Sequence, residues 1–290
     1  MAKSKQLLDG SDYCTQCSSN DSESCLNLNM QEGDGCNDAT ECKKLRAMRE
    51  ALPVSTHAER QRFLATRHGN VKKANEKLSH YLEWRKCNCD DSSYDDNDIN
   101  PWEHASQMAI SKTSSNKTAV KIELPCILFM DELKGNSNVK HRYIQHLPAR
   151  IDTQVADAST YALALALFLD HVVDRNSTEK ITIVIDVRSG HGWANIKAYS
   201  LLPFIQSTIK LLSDLHPERL ERCIIFPIPK IANVLWKAVK PALGKDTCNK
   251  VCLVSGPAGR NDVIPDKLAD FLDEELINRF EERRQNCFVK

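Results

Sequence analysis

One stretch, residues 216–254 (HPERLERCIIFPIPKIANVLWKAVKPALGKDTCNKVCLV), constrains the fold more than any other part of this chain. Residues 223–226 and 251–254 are short, continuous apolar runs and read as two buried strands. Between them, residues 231–239 read as a helix that Pro241 stops. Strand, helix, strand is the unit of a parallel or mixed sheet, joined by a right-handed crossover. The helix is too apolar for an exposed one. Ile231, Val234, Leu235, Trp236 and Val239 make a band wider than one face, and Lys237 and Lys240 are its only charges after Lys230. Such a helix must cover something apolar.

The rest of the chain extends that unit into a sheet. Residues 126–130 and 141–147 read as strands around a turn at Gly135, Asn136 and Asn138. An apolar helix is expected at 161–173, a central strand at 181–187, and a long helix at 196–215 with Leu201, Leu202, Ile205, Ile209 and Leu212 on one side. The order predicts an α/β fold, a mixed or parallel β-sheet flanked by helices. Ahead of it, Leu45, Met48, Leu52, Phe63, Leu64, Val71, Ala74, Leu78 and Leu82 recur every three or four residues within each segment, with Pro53 and Gly69 as breaks. The expected organisation is a disordered Cys-rich tail at 1–42 and a small all-α N-terminal lobe at 43–88. An acidic, polar linker at 89–120, an α/β domain at 121–273 and a C-terminal helix and tail at 274–290 complete it, that helix being read as a solvated flank.

Several classes of function are excluded at this level. Lys+Arg and Asp+Glu balance at 39 each, which gives no case for nucleic acid as a partner. No apolar run is long enough to span a bilayer and MAKSKQLLDGSDY lacks an apolar signal core, so a cytoplasmic protein is expected. Its twelve cysteines then read as reduced thiols. Cys14 and Cys17 form a CxxC without a second pair, so no metal site is expected. Asp186, Ser189 and His191 invite a hydrolase reading, but GxSxG is missing and neighbours two apart rarely form a triad. Gly190 and Gly192 precede a helix expected near Ala194, yet lack the third glycine and the Lys-Ser/Thr of a phosphate loop. The reading is non-enzymatic, without catalytic residues or cofactor.

HPERL (216–220), LWKAVKPAL (235–243) and TCNKVCLV (247–254), with FLATRHGNVKKANEKLSHYLEWRK (63–86), resemble the CRAL-TRIO lipid-binding family and its phosphatidylinositol-transfer branch. The resemblance covers residues 43–273 apart from the acidic linker. It implies a helical lobe before an α/β lobe whose apolar pocket holds one lipid above the sheet and under a movable gate helix. By position the gate is the segment carrying Ile231, Val234, Leu235, Trp236 and Val239, and the pocket floor carries Ile181, Ile183 and Ile185. The residues that approach phosphoinositol in that branch fall at Arg67, Glu218 and Lys250. Arg67 and Lys250 suit a phosphate, and Glu218 can accept protons from inositol hydroxyls.

Departures from the branch shape the expectation. His68 follows Arg67 where a lysine is usual, and Ile181 and Ile183 replace the hydroxyls that contact phosphatidylcholine. His216, Pro227 and Lys230 stand where tyrosine, asparagine and an aromatic are usual, and about three extra residues sit in the loop 189–193. The chain is therefore expected to bind a single phospholipid, with phosphatidylinositol favoured, as a monomer that visits a membrane surface transiently and performs no turnover. A sterol or tocopherol-like ligand stays open, as does an interaction module that binds a protein such as a small GTPase.

Overall fold

The structure, a computed structural model, describes residues 42–89, 100–113, 122–134, 140–229 and 233–287; of residues 134, 140 and 233–235 it describes the backbone alone. The expectations for the tail with Cys14 and Cys17, the acidic run 90–98, the turn at Gly135, Asn136 and Asn138, and Lys230 and Ile231 lie outside the described residues. The α-helices are α1 (Lys43–Ala51), α2 (His57–Ala65), α3 (Val71–Asn88), α4 (Pro101–Thr113), α5 (Ala158–Val172), α6 (Leu202–Leu215), α7 (Asn233–Val239), α8 (Lys245–Asn249) and α9 (Glu274–Asn286). The strands are β1 (Leu128–Lys134), β2 (Lys140–His146), β3 (Ile181–Asp186), β4 (Leu220–Ile228) and β5 (Val251–Ser255). The chain divides into two units, Met1–Glu83 with Arg175–Thr178, and Trp84–Asp174 with Glu179–Lys290.

The first unit is helical. Leu45, Met48, Ala58, Phe63, Ala74, Leu78 and Tyr81 are its buried apolar residues, with the rings of Phe63 and Tyr81 5.5 Å apart. A capping box starts α2: the Thr56 hydroxyl accepts from the Glu59 amide, and the Glu59 carboxylate accepts from the Thr56 amide. Glu59 is fully buried, and Arg175 donates to both its oxygens at 2.9 and 3.1 Å. That bidentate pair fastens the 175–178 loop to α2. The turn after α2 holds His68 at φ 49° and Gly69 at φ 73°, where glycine carries no side-chain penalty.

In the second unit the five strands lie side by side in chain order. β1 is antiparallel to β2, and β2 to β5 run parallel. This is the mixed sheet that the apolar runs predict. The side chains alternate, and each face meets a different core. On one face α5, apolar all round, lies between sheet and α4. Tyr161, Leu165 and Phe168 pack there with Ile144 and Ile181, and Ala105 and Ala109 of α4 and Ala162 and Ala164 of α5 are buried in the same core. On the other face Val184, Ile224, Phe226 and Val254 pack against Leu268, Leu272, Leu276 and Phe280.

Four expectations are corrected. The segment read as an acidic and polar linker contains α4, whose Trp102, Ala105 and Ala109 are buried; its short side chains hide the helical period. The C-terminal helix is no solvated flank: Leu276 and Phe280 seal one sheet face, and Arg283 donates to Gln145 and Asp131 on β2 and β1. The long helix starts at Leu202 rather than Ile196, because Lys197 is extended and Ala198–Leu201 form a 3-10 turn ahead of Pro203. The link from α7 to β5 holds a further 3-10 turn, Lys240–Ala242, and α8, neither of which has an apolar period to reveal it. Among the described residues no helix is long and apolar enough to cross a membrane.

Candidate functional site

The two faces of β3, β4 and β5 are covered unequally. Toward α9, Val184, Ile224, Phe226 and Val254 are at most 3 % exposed. Toward α5 and α6 the register aligns Ile183, Cys223 and Val251 in one row and Ile185, Ile225 and Leu253 in the next. All six are only half-buried, and of them Ile183 alone packs against a core cluster. Of the expected floor residues, Ile181 is taken up by the helical core, Ile183 borders it, and Ile185 stands on the open part. The medium there is apolar enough to push the Cys223 thiol up to about 12, although the residue keeps some exposed surface.

The crossover from β4 to β5 lies on this side. Each parallel connection steps in the same direction along the sheet, so right-handed crossovers place α5, α6 and α7 on one face, and α7 touches α6. On α7 Trp236 is half-buried and Val239 buried, while Lys237 is exposed. Val234 and Leu235 belong to α7 by their backbone. A cleft of about 640 Å³ opens between α7 and α8, lined by Trp236, Pro241 and Leu243 and ringed by Lys237, Lys240 and Lys245.

Glu218 and Lys250 meet at the start of the parallel strands. Each lies just ahead of its strand, β4 and β5, and the backbone ties the two starts together through the Cys223 amide and the Lys250 carbonyl at 2.9 Å. Lys250 Nζ stands 3.6 Å from Glu218 Oε2, with both side chains about a third exposed or less. Glu218 adopts a left-handed conformation, φ 58°, which a glutamate rarely takes. The neighbouring Arg219 is buried and donates to the carbonyls of Glu179, at 2.9 Å, and Asp174. That arginine clamps the turn carrying Glu218, a role its sequence does not announce. Arg67 lies in the helical unit, in the turn after α2, half-buried, its amide donating to Leu64.

The loop after β3 is built for structure. Arg188 closes on Asp186 through Nε and Nη2 at 3.0 and 2.7 Å, reaches Glu281 at 2.7 Å, and is as buried as Asp186. Arg284, also buried, stands 3.5 Å from Asp186 and donates to the carbonyls of Ser189 and Arg260. Asp186 is committed to arginines, and the His191 ring meets Arg260 at 3.0 Å, so the three residues of the hydrolase reading do not form a triad. Gly190 and Gly192 precede irregular chain rather than a helix start. A Cβ on Gly190 would overlap the Trp193 ring, and Asn195 holds both the amide and the carbonyl of Gly190. Among the described residues no group of three His, Cys, Asp or Glu could hold a metal ion.

A relative named phosphatidylinositol transfer protein sfh5, from Aspergillus terreus, is 21% identical over 236 residues, covering 77% of this chain and 52% of its own. The chain thus spans about half the length of that curated relative. A solved structure, described as the crystal structure of Sfh5, aligns at 13% identity and a TM-score of 0.49, over 74% of this chain and 67% of that one. The model of the CRAL/TRIO domain matches residues 134–280, from the end of β1 through the sheet and its crossovers into α9, and this chain belongs to the CRAL/TRIO family.

Proposed function

We propose that the chain binds a single lipid, phosphatidylinositol by preference, against the β3–β5 floor beneath α7, and carries or presents it between membranes without chemical turnover. The observation that carries this reading is the unequal covering of the sheet. One face is sealed by α9, while the apolar row Ile185, Ile225 and Leu253 is left half-covered under a crossover helix. An apolar face held half-open within a fold forgoes roughly 25 cal/mol per Å² of the burial it might gain, and acyl chains would restore that burial. Lifting two chains out of a bilayer exposes them at ~0.8 kcal/mol per CH₂, about 20 kcal/mol in all, so exchange needs such a replacement surface.

The head group is assigned to Glu218 and Lys250 at the starts of β4 and β5. Lysine meets the phosphate diester and glutamate accepts from inositol hydroxyls. Arg67, in the helical unit, is assigned a lipid phosphate contact on the resemblance alone. The lysines around the α7–α8 cleft suit an anionic membrane surface, with Trp236 and Leu243 as apolar contacts. Mass spectrometry of lipid extracted from the natively purified chain tests the reading. One phosphatidylinositol per chain is the expected result. A sterol would keep the pocket and retire the head-group assignment. A chain that carries no lipid and takes none from vesicles would defeat the proposal.

A further inference from the structure

The half-open floor has one polar member on its inner row. His146 ends β2, and the register runs from Leu128 through His146, Ile185 and Ile225 to Leu253. Its ring lies on the side of α6, 5.8 Å from the ring of Phe204. His146 is 6 % exposed, and its Nε2 finds no hydrogen-bond partner among the described residues. One helical turn beyond Phe204, on the same stripe of α6, the buried Thr208 hydroxyl also has none. A buried polar group left unmade costs a fold about 1–3 kcal/mol. His146 borders the apolar floor and Thr208 lies one turn along α6 from the ring His146 packs on; left unpaired, the two are poor stabilisers and suit ligand contacts.

The surroundings limit what they can bind. Burial holds the His146 imidazole down to about 4, so near neutrality it is uncharged, with one nitrogen donating and the other accepting. The neighbours Leu128, Ile185 and Phe204 offer nothing to neutralise an ion. The charged pair lies at the other end. Glu218 precedes the first residue of β4, paired with Ile181, whereas His146 pairs with Ile185, four residues or roughly 13 Å along the parallel strands.

Resting on the lipid-binding reading, we propose that His146, assisted by Thr208, selects the ligand by hydrogen-bonding a neutral oxygen, hydroxyl or carbonyl, carried within its apolar body. The ligand is then an oxygenated lipid: either a phospholipid with an oxygenated acyl chain or a single-hydroxyl molecule of sterol type. A plain hydrocarbon tail leaves both polar groups unpaired and binds less well.

The test uses the full chain loaded with diphenylhexatriene and displaced by octadecane, octadecanol and a long-chain ketone. Octadecanol and the ketone should displace the probe about tenfold better than the alkane, a ratio within reach of one buried hydrogen bond. His146→Phe should lower that ratio to about one while leaving displacement by octadecane unchanged. Thr208→Val, nearly isosteric, should lower it in part and serves if the first variant does not fold. The same preference in Thr208→Val and His146→Phe as in the parent would overturn the proposal. If octadecane, octadecanol and ketone all fail to displace the probe from the parent chain, the pocket reading itself falls, and this inference with it. Extracted lipid separates the sources: a hydroxylated acyl phospholipid or a sterol each supports the handle, and an exclusively unoxygenated acyl phospholipid overturns it.

Discussion

Lys250 Nζ stands 3.6 Å from Glu218 Oε2, and Glu218 reaches that place through a left-handed backbone. The two facts oppose each other energetically. A partly exposed ion pair contributes about 0–1 kcal/mol, while a non-glycine residue in the left-handed region costs about 1–2 kcal/mol. The arrangement does not hold the fold together, which fits a pair positioned for something else. Glu218→Gly should therefore leave stability in urea unchanged or raised, while phosphatidylinositol transfer between vesicles falls. The double variant Glu218→Ala, Lys250→Ala should lower that transfer at least tenfold, since charge-assisted bonds contribute about 1.5–3 kcal/mol each. Arg67→Ala, assayed by itself, should also lower transfer relative to the parent. Transfer at the parent rate in the double variant would end the assignment.

The cleft between α7 and α8 sets a membrane prediction. Lys237, Lys240 and Lys245 line it beside Trp236. Each lysine near an anionic surface is worth about 1 kcal/mol, screened within a Debye length. Changing all three to glutamine should weaken binding to phosphatidylserine vesicles tenfold or more and flatten its salt dependence. Binding to neutral vesicles should change little. Equal loss on both kinds of vesicle would point to damage in α7 rather than to charge.

The strand ends and their loop depend on a buried charge network. Arg188 bridges Asp186 and Glu281, with Arg284 3.5 Å from Asp186. Removing one partner of a buried pair leaves an uncompensated charge, at about 3–5 kcal/mol. Arg188→Met should lower the unfolding free energy by an amount of that order, read as a lower urea midpoint, and loosen α9 from the sheet, seen as faster amide exchange at Leu276 and Phe280. An unchanged midpoint would mean that the network is solvated and contributes little.

The sheet was legible because its strands are apolar runs of the right length, and the apolar α5 shows in YALALALFLDHV. The segments that escaped notice have physical reasons in common. α4 packs through alanines and one tryptophan, which make a weak period. α9 is rich in charge, and its arginines look solvated until Gln145, Asp131 and Asp186 are seen opposite them. Glu218 and Lys250 were placed by motif resemblance, and only the fold brings residues thirty-two apart in sequence to 3.6 Å. His146 could not be read from sequence, because its significance lies in a ring nitrogen that meets no partner among the described residues.

His146 also contributes to the pH dependence of stability. Burial lowers its pKa from 6.5 to about 4, so between those values the unfolded chain holds the proton and the folded chain does not. The folded state is therefore stabilised fully above pH 6.5, loses that contribution as pH falls through the window, and levels off below about 4. The full span amounts to about 3 kcal/mol. Urea midpoints for the parent chain should drop from about pH 7 to about pH 4.5 by more than those of His146→Phe, which lacks the group. Carboxylates and His171, whose own pKa burial also lowers, act alike in both proteins and cancel in the comparison. Parallel pH profiles for the two would show that His146 protonates as readily folded as unfolded, and would remove the dry, apolar setting on which its ligand role depends.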